Sequence, residues 1–235
     1  MQLFYTPDIT TTSDSFSFDK AESRHIVKVL RKKLGDPLYI TNGKGHLFTS
    51  EITVSSDKNC SVKIIEVKTK EKPWKYNLHI ALAPTKNIDR FEWFLEKATE
   101  IGIDEITPIL CDHSERKIIK TDRLKRILES AMKQSLKYQL PKLNALTPFS
   151  EFIDTTTNSN LFIAHCENTQ KKNLKEALEP NKNATILIGP EGDFSTEEIK
   201  KALNKGYQPI SLGESRLRTE TAGVVAVNAV SFINQ

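Results

Sequence analysis

Cysteine is scarce in this sequence, and its spacing fits neither a metal site nor a set of disulfides. The three cysteines, Cys60, Cys111 and Cys166, are odd in number, lie far apart and form no Cys-x-x-Cys pair. This pattern argues against a disulfide framework and against a zinc ribbon, and it favours reduced thiols, as in a cytosolic protein. We therefore predict a protein without a bound metal.

Long apolar runs are also missing. No stretch approaches the roughly 18 consecutive apolar residues of a membrane span, so we expect no transmembrane helix and no membrane partner. The first residues, Met1–Asp8, lack the basic start and the apolar stretch of a secretory signal, and we expect a cytoplasmic location. Hydrophobic residues make up 38% of the chain and charged residues 27%, which is too apolar for a disordered protein.

The net charge of +4 is small, but the basic residues are clustered. Residues 20–33 contain six basic side chains and one acidic side chain, and residues 116–142 contain nine and two. The rest of the chain is therefore net acidic. Such clustering is typical of a surface that binds a polyanion, and solvated helix faces can give the same pattern. Two separate clusters favour a nucleic-acid partner.

The length of 235 residues accommodates one or two domains. The polar segment Lys68–Pro73 has the composition of a linker. We therefore predict a small β-barrel domain over residues 1–70, a linker over residues 71–76 and an α/β domain over residues 77–235.

Short apolar runs at close spacing predict the barrel. The sequence Asp19-x-x-Glu22 predicts a capping box at the start of a short helix. Asn42-Gly43 predicts a hairpin with a type I′ turn, which needs a positive φ at both central residues. The expected strands lie at residues 3–5, 38–40, 46–54 and 60–67.

Strands and helices alternate in the second domain, which predicts a mostly parallel sheet. Helical spacing predicts one helix that ends at Gly102, a second that begins near Thr121, and a capped helix after Ser195-x-x-Glu198. The last segment, residues 220–232, is apolar all round with small side chains and predicts a buried helix. The expected strands lie at residues 78–83, 106–110, 161–164, 185–188 and 209–212.

Two of these strands run into glycine-containing loops, Gly189–Gly192 and Gly213–Arg218. Ligands of open α/β sheets bind beyond the carboxyl ends of the strands, and glycine lets the backbone approach a ligand closely. Neither loop has the Gly-x-Gly-x-x-Gly or Walker pattern, which disfavours dinucleotides and nucleoside triphosphates. A structural turn explains the first loop alone equally well, and Arg218 could simply pair with Glu220 or Glu191.

Taken together and in this order, the two loops resemble those of the 16S ribosomal RNA uridine-N3 methyltransferase family of the SPOUT, or trefoil-knot, superfamily. The likeness covers essentially the whole chain. Further matching segments are Lys97-x-x-Glu100-x-Gly102, Ser114-Glu115-Arg116, Gln134-Ser135, His25, Val29-Leu30-Arg31 and Gly43-Lys44-Gly45. The chain departs from the family pattern at Gln2, Asp193 and Lys137, where arginine, glycine and arginine are common.

The resemblance implies a PUA-like barrel followed by an α/β domain with a deep trefoil knot, and it implies a homodimer. It also implies that S-adenosylmethionine binds within the knot loops. The cofactor-binding residues implied in this way are Leu187, Ile188, Gly189, Pro190, Glu191, Gly192, Ser211, Leu212, Gly213, Arg216, Leu217, Arg218 and Thr219.

The implied reaction transfers a methyl group to N3 of a uridine in the 16S rRNA of the small ribosomal subunit. Arg218 is the candidate catalytic cation or phosphate clamp, because a cation stabilises the anion that develops on the uridine. Glu220, or alternatively Glu191, is the candidate proton acceptor. A helix-dipole role fits Glu220 equally well. The candidate phosphate-binding residues are Arg24, Lys28, Arg31, Arg116, Lys133 and Lys137.

Two other functions stay open at this point. The chain could be a SPOUT enzyme that modifies a different RNA position, or a non-catalytic RNA-binding assembly factor on the same scaffold. The intact pair of glycine loops favours an enzyme.

Overall fold

The computed structural model describes residues 1–156 and 160–235. The chain forms two compact units. The first consists of Met1–Pro73 with Met132–Leu140, and the second of Trp74–Ala131 with Pro141–Gln235. This division differs from the predicted boundaries, because Met132–Leu140 joins the first unit although residues 77–235 were expected to form one domain. The segment returns to the sheet of the first unit, where the Gly45 N–H donates to the Tyr138 carbonyl at 2.8 Å.

The first unit is built on a five-stranded sheet with the order β1-β3-β4-β5-β2, in which only β1 and β3 run parallel. Its apolar side chains, among them Phe4, Ile26, Ile40 and Phe48, form one buried core. The predicted small barrel-like β domain is confirmed. The strands are β1 Leu3–Tyr5, β2 Ser15–Ser17, β3 Pro37–Thr41, β4 His46–Val54 and β5 Ser61–Thr69.

The short helix α1, Lys20–Arg24, begins as predicted at Asp19, whose side chain accepts the Glu22 N–H at 2.7 Å. It continues into a π-helical turn over His25–Val29.

Two predictions in this unit are wrong. Lys68 and Thr69 belong to β5 and not to a linker, because they pair with Leu47 and His46 of β4. The turn after β3 is not of type I′, since φ is positive at Gly43 but not at Asn42. The Asn42 side chain instead accepts the Lys44 N–H at 2.9 Å, and this bond shapes the turn.

The second unit contains a parallel sheet with the order β11-β13-β10-β12-β6-β7-β8, with β9 paired to β7. The predicted alternation of strands and helices in this unit is confirmed. The strands are β6 Leu78–Leu82, β7 Glu105–Leu110, β8 Lys142–Leu143, β9 Thr147–Pro148, β10 Asn160–Ala164, β11 Lys172–Asn173, β12 Ala184–Ile188 and β13 Gln208–Ser211. The helices are α2 Ile88–Ile101, α3 Thr121–Gln134, α4 Phe149–Thr155, α5 Leu174–Ala177, α6 Thr196–Asn204 and α7 Thr219–Ile233.

The C-terminal helix α7 packs against α2 and β6. A Cβ atom at Gly223 would lie 2.6 Å from Leu82 Cδ1 and 2.6 Å from Phe94 Cδ2, so the helix approaches its neighbours more closely than any larger residue permits. The prediction of a helix is confirmed, but its burial is one-sided. Gly223, Val227 and Val230 are buried, whereas Phe232 is 72% exposed.

Within the described ranges, no helix combines the length and the apolar character that a membrane crossing requires. The same ranges contain no group of three histidine, cysteine, aspartate or glutamate side chains placed to hold a metal ion.

Candidate functional site

The two glycine loops leave the same edge of the parallel sheet. Strand β10 lies between β12 and β13, and Ala164 at its end pairs with both Ile188 and Ile210. The loops that follow β12 and β13 therefore flank the end of β10. The Thr219 hydroxyl donates to the Gly189 carbonyl at 3.1 Å and links the second loop to the first.

Two adjoining cavities lie at this edge. One, of about 280 Å³, is lined by residues of both loops, including Gly189, Glu191, Leu217 and Arg218. The other, of about 480 Å³, is lined by the run from Ile210 to Leu217 together with residues that follow β10. The cavities share Ala164, Cys166, Ile188, Arg216, Leu217 and Ala222.

Eleven of the thirteen predicted cofactor residues line one or both cavities. The exceptions are Leu187, which is fully buried in the core, and Gly192. A Cβ at Gly192 would meet the His113 Cβ at 3.1 Å, so this glycine serves packing against the neighbouring loop.

The first loop is held by its own hydrogen bonds. Asp193 has a φ of +63°, a left-handed conformation that glycine adopts more readily than other residues. Its carboxylate accepts the Cys166 N–H at 2.7 Å. The Glu191 carboxylate accepts the Lys86 N–H at 2.9 Å and is thereby fixed at the rim of the smaller cavity.

The helix after this loop, α6, begins with the predicted capping box. The Ser195 hydroxyl accepts the Glu198 N–H at 3.2 Å, and the Glu198 carboxylate accepts the Ser195 N–H at 2.9 Å. The other Glu198 oxygen accepts the Asp112 N–H at 3.0 Å. The first loop therefore runs into a rigid helix start.

The second loop has a more open structure. Gly213 has a φ of +136°, and a Cβ there would meet no atom within 4 Å, so its backbone borders open space in the larger cavity. Arg218 is exposed, and among the described residues it has no hydrogen bond or ion pair with Glu220 or Glu191. Its guanidinium is therefore free to meet a ligand.

Glu220 lies in the first turn of α7 and is 6% exposed. Its Oε1 is 3.8 Å from Arg90 Nε, and its Oε2 has no hydrogen-bond partner among the described residues. The position suits the helix dipole. Glu220 also lines a third cavity, of about 610 Å³, together with Arg90, Trp93 and Arg218. The two candidate catalytic residues, Arg218 and Glu220, therefore line the same cavity.

His165 was not among the predicted site residues. It directly follows β10 and lines the larger cavity. Burial lowers the pKa of its imidazole, and the nearby Lys171 lowers it further. The Lys171 ammonium donates to the His165 carbonyl at 2.6 Å. A polar residue at the carboxyl end of a buried strand was the signal that could have identified it.

The predicted RNA-binding residues fall in both units. In the first unit, Arg24, Lys28 and Arg31 are exposed, and Lys28 lies 3.8 Å from Asp57. Lys133 and Lys137 lie in the segment that joins this unit, and burial lowers the pKa of Lys137.

Arg116 lies in the second unit, and its guanidinium already forms hydrogen bonds within the protein. Its Nε donates to the Thr85 carbonyl at 3.0 Å and its Nη2 to the Lys86 carbonyl at 2.6 Å. These hydrogen bonds fix the loop before α2. They give Arg116 a structural role that does not require RNA binding.

Two family models match the chain. A model for the RNA methyltransferase domain matches residues 71–231, and a model for the RNA methyltransferase PUA domain matches residues 18–65. The chain is also similar to the ribosomal RNA small subunit methyltransferase E of Buchnera aphidicola (subsp. Acyrthosiphon pisum, strain APS), at 34% identity over 92% of this chain and 88% of the relative.

Solved structures show the same architecture. A probable rRNA-methyltransferase from Porphyromonas gingivalis matches with a TM-score of 0.93 and 42% identity, over 100% of this chain and 98% of that chain. A candidate methyltransferase from Legionella pneumophila, solved in complex with bound SAM, matches with a TM-score of 0.88 and 27% identity, over 99% and 97% of the two chains.

Proposed function

This chain belongs to the ribosomal RNA small subunit methyltransferase E family, and on that premise we propose that it transfers a methyl group from S-adenosylmethionine to N3 of a uridine in 16S rRNA. The observation that carries the proposal is the meeting of the loops after β12 and β13 around adjoining cavities. These loops provide the ligand site at the sheet edge where α/β proteins bind their ligands.

The residues present fit this cofactor. The cavities, about 280 and 480 Å³, together have the size of a small-molecule site, which typically measures roughly 300–1,000 Å³. Their walls combine apolar side chains such as Ile188 and Leu217 with loop backbone and with charged groups at the rim, including Glu191 and Arg216. The bound cofactor supplies the electrophilic methyl group on its sulfonium.

The chain itself positions the uridine and manages the charge that develops on it. The free guanidinium of Arg218 stabilises the anion that forms as the N3 proton leaves. Glu220 Oε2, which accepts no hydrogen bond from the described residues, takes this proton. Arg90, near Glu220 Oε1, orients the carboxylate. The fixed position of Glu191 makes it the second candidate for the proton acceptor.

The basic residues of the first unit bind the phosphates of the rRNA within the small ribosomal subunit. Phosphate contacts position an RNA without specifying its sequence. The target base has to be splayed out of a stack to reach the cavity, as is general for RNA readers. A cytoplasmic location follows from this substrate.

A homodimer is part of the proposal. The outer side of α7 carries the 72% exposed Phe232 and the half-buried Val224 and Val225. Apolar side chains on the outer side of a helix suit a protein interface. We also propose that the chain around α7 is threaded as a trefoil knot, in keeping with the tie between Thr219 and Gly189.

The proposed function is tested by two measurements. Calorimetry with S-adenosylmethionine tests the cofactor, and mass spectrometry of rRNA nucleosides from cells with and without the gene tests the product. We expect 3-methyluridine in 16S rRNA only when the gene is present. A different modified nucleoside would point to another RNA target, and no cofactor binding at millimolar concentration would point to a non-catalytic RNA-binding factor.

The Arg218→Ala variant tests the mechanism. We expect turnover to fall at least about 100-fold, the scale for loss of one group that stabilises a developing charge, with little change in thermal stability. Lys200→Ala, which removes an exposed cation on α6, is the matched control and retains activity. Near-normal turnover in Arg218→Ala would remove this residue from the mechanism.

A further inference from the structure

His165 is a buried histidine whose imidazole has no hydrogen-bond partner among the described residues. The residue is 7% exposed, and neither Nδ1 nor Nε2 has a hydrogen-bond partner among the described residues. Buried polar groups in proteins are almost always hydrogen-bonded, and an unpaired one costs free energy. An orphaned imidazole in the wall of a cavity therefore points to a partner that arrives with a ligand.

The larger cavity, which His165 lines, differs from the smaller one in chemistry. The smaller cavity is lined by Glu191 and Arg218, which the proposed function assigns to the reaction at the uridine. The larger cavity contains neither of them and is bordered by the open backbone at Gly213. It suits the part of the cofactor that is remote from the reaction and carries uncharged donors and acceptors, which is the nucleoside.

The protonation state of His165 matches such a ligand. Burial and the charge of Lys171 lower its pKa, while the smaller effects of Asp193 and Glu167 oppose this shift. The imidazole is therefore neutral at pH 7, with one nitrogen as donor and the other as acceptor. A neutral ring can donate one hydrogen bond to a nucleoside and accept another from it.

We infer that His165 is a cofactor-recognition residue that hydrogen-bonds the nucleoside of S-adenosylmethionine in the larger cavity. Its ring nitrogens are shielded from solvent, so the imidazole turns toward the ligand as the ligand enters. This turn sacrifices no hydrogen bond with the described residues, because none is present. The inference rests on the proposed function, since the nucleoside belongs to the proposed cofactor.

The test compares two ligands that share the nucleoside. S-adenosylhomocysteine and 5′-methylthioadenosine are titrated by calorimetry into the wild type, His165→Phe and His165→Gln. We expect His165→Phe to lower the affinity for both ligands by a similar factor, about 5- to 100-fold, because a hydrogen bond in a buried site is lost. His165→Gln keeps a donor and an acceptor, so we expect it to recover part of the lost affinity. This variant also tests the inference if His165→Phe does not fold.

The matched control is His79→Phe. His79 is a second, half-buried histidine with a lowered pKa, but it contacts Thr107 and lines neither of the two cavities. We expect this variant to bind both ligands as the wild type does. Unchanged affinities in the His165 variants, or a loss confined to S-adenosylhomocysteine, would overturn the inference. Absence of binding to the wild type would instead overturn the proposed function.

Discussion

Gly223 of α7 is closely packed against its neighbours, and this packing yields a quantitative prediction. A methyl group added in Gly223→Ala would lie 2.6 Å from both Leu82 Cδ1 and Phe94 Cδ2, whereas carbon atoms pack favourably at roughly 3.5–4.0 Å. Both neighbours are fully buried, so they have little room to move. Overpacking of a core costs about 1–3 kcal/mol. Two short contacts place this site in the upper half of that range.

Alanine offsets part of this cost, because it is about 1 kcal/mol more favourable than glycine in a helix. We therefore expect Gly223→Ala to lower the free energy of unfolding by about 1–2 kcal/mol. At 2–4 °C per kcal/mol for a chain of this size, the thermal midpoint falls by about 2–8 °C. Differential scanning calorimetry measures this shift, and Gly223→Val should lower the midpoint further.

The control for helix propensity is Asn228→Ala, at an exposed position of the same helix. It should leave the midpoint unchanged or raise it slightly, because alanine is the better helix former. If Gly223→Ala were as stable as the wild type or more stable, the reasoning that close approach of α7 requires glycine would be refuted.

Three further predictions concern charge. Glu220→Gln should lower turnover about 10²- to 10⁴-fold and leave S-adenosylhomocysteine affinity within twofold, and equal turnover would exclude a role as base. Loss of Lys133 and Lys137 together should weaken RNA binding and reduce the slope of log K against log salt by about 1.4, measured by titration at several ionic strengths; an unchanged slope would show that they touch no phosphate. Burial keeps the folded-state pKa values of His79 and His165 below 6.5, so the unfolded chain takes up protons first as the pH falls. Their contribution to stability is therefore present above pH 6.5 and lost below it. In urea titrations, the free energy of unfolding should be lower at pH 5.5 than at pH 7.5, and the difference should shrink in His79→Phe.

Local signals in the sequence predicted local structure well. The Ser195-x-x-Glu198 box, the end of α2 at Gly102 and the position of α7 all appear in the structure, because each depends on a few neighbouring residues. Strand β2 was missed because three residues, Ser-Phe-Ser, give too short a pattern. The linker prediction was wrong at Lys68 and Thr69, because these polar residues continue an exposed strand.

Features that depend on distant residues could not be predicted. Nothing local in Met132–Leu140 shows that it joins the first unit, since its partner Gly45 is far away in the sequence. The hydrogen bonds of Arg116 with the carbonyls of Thr85 and Lys86 could not be predicted either, because these residues are also far from Arg116 in the sequence. The two loops of the candidate site were identified from their glycines and order, but His165 emerges only once β10 is seen between β12 and β13.

The central claim is that the loops Gly189–Asp193 and Leu212–Arg218 enclose one nucleoside cofactor. Amide hydrogen exchange with and without S-adenosylhomocysteine tests it directly, with β4 as the internal reference. We expect amides of both loops to exchange more slowly in the presence of the ligand, and those of β4 to exchange at an unchanged rate. Slower exchange in only one loop, or in neither, would contradict it.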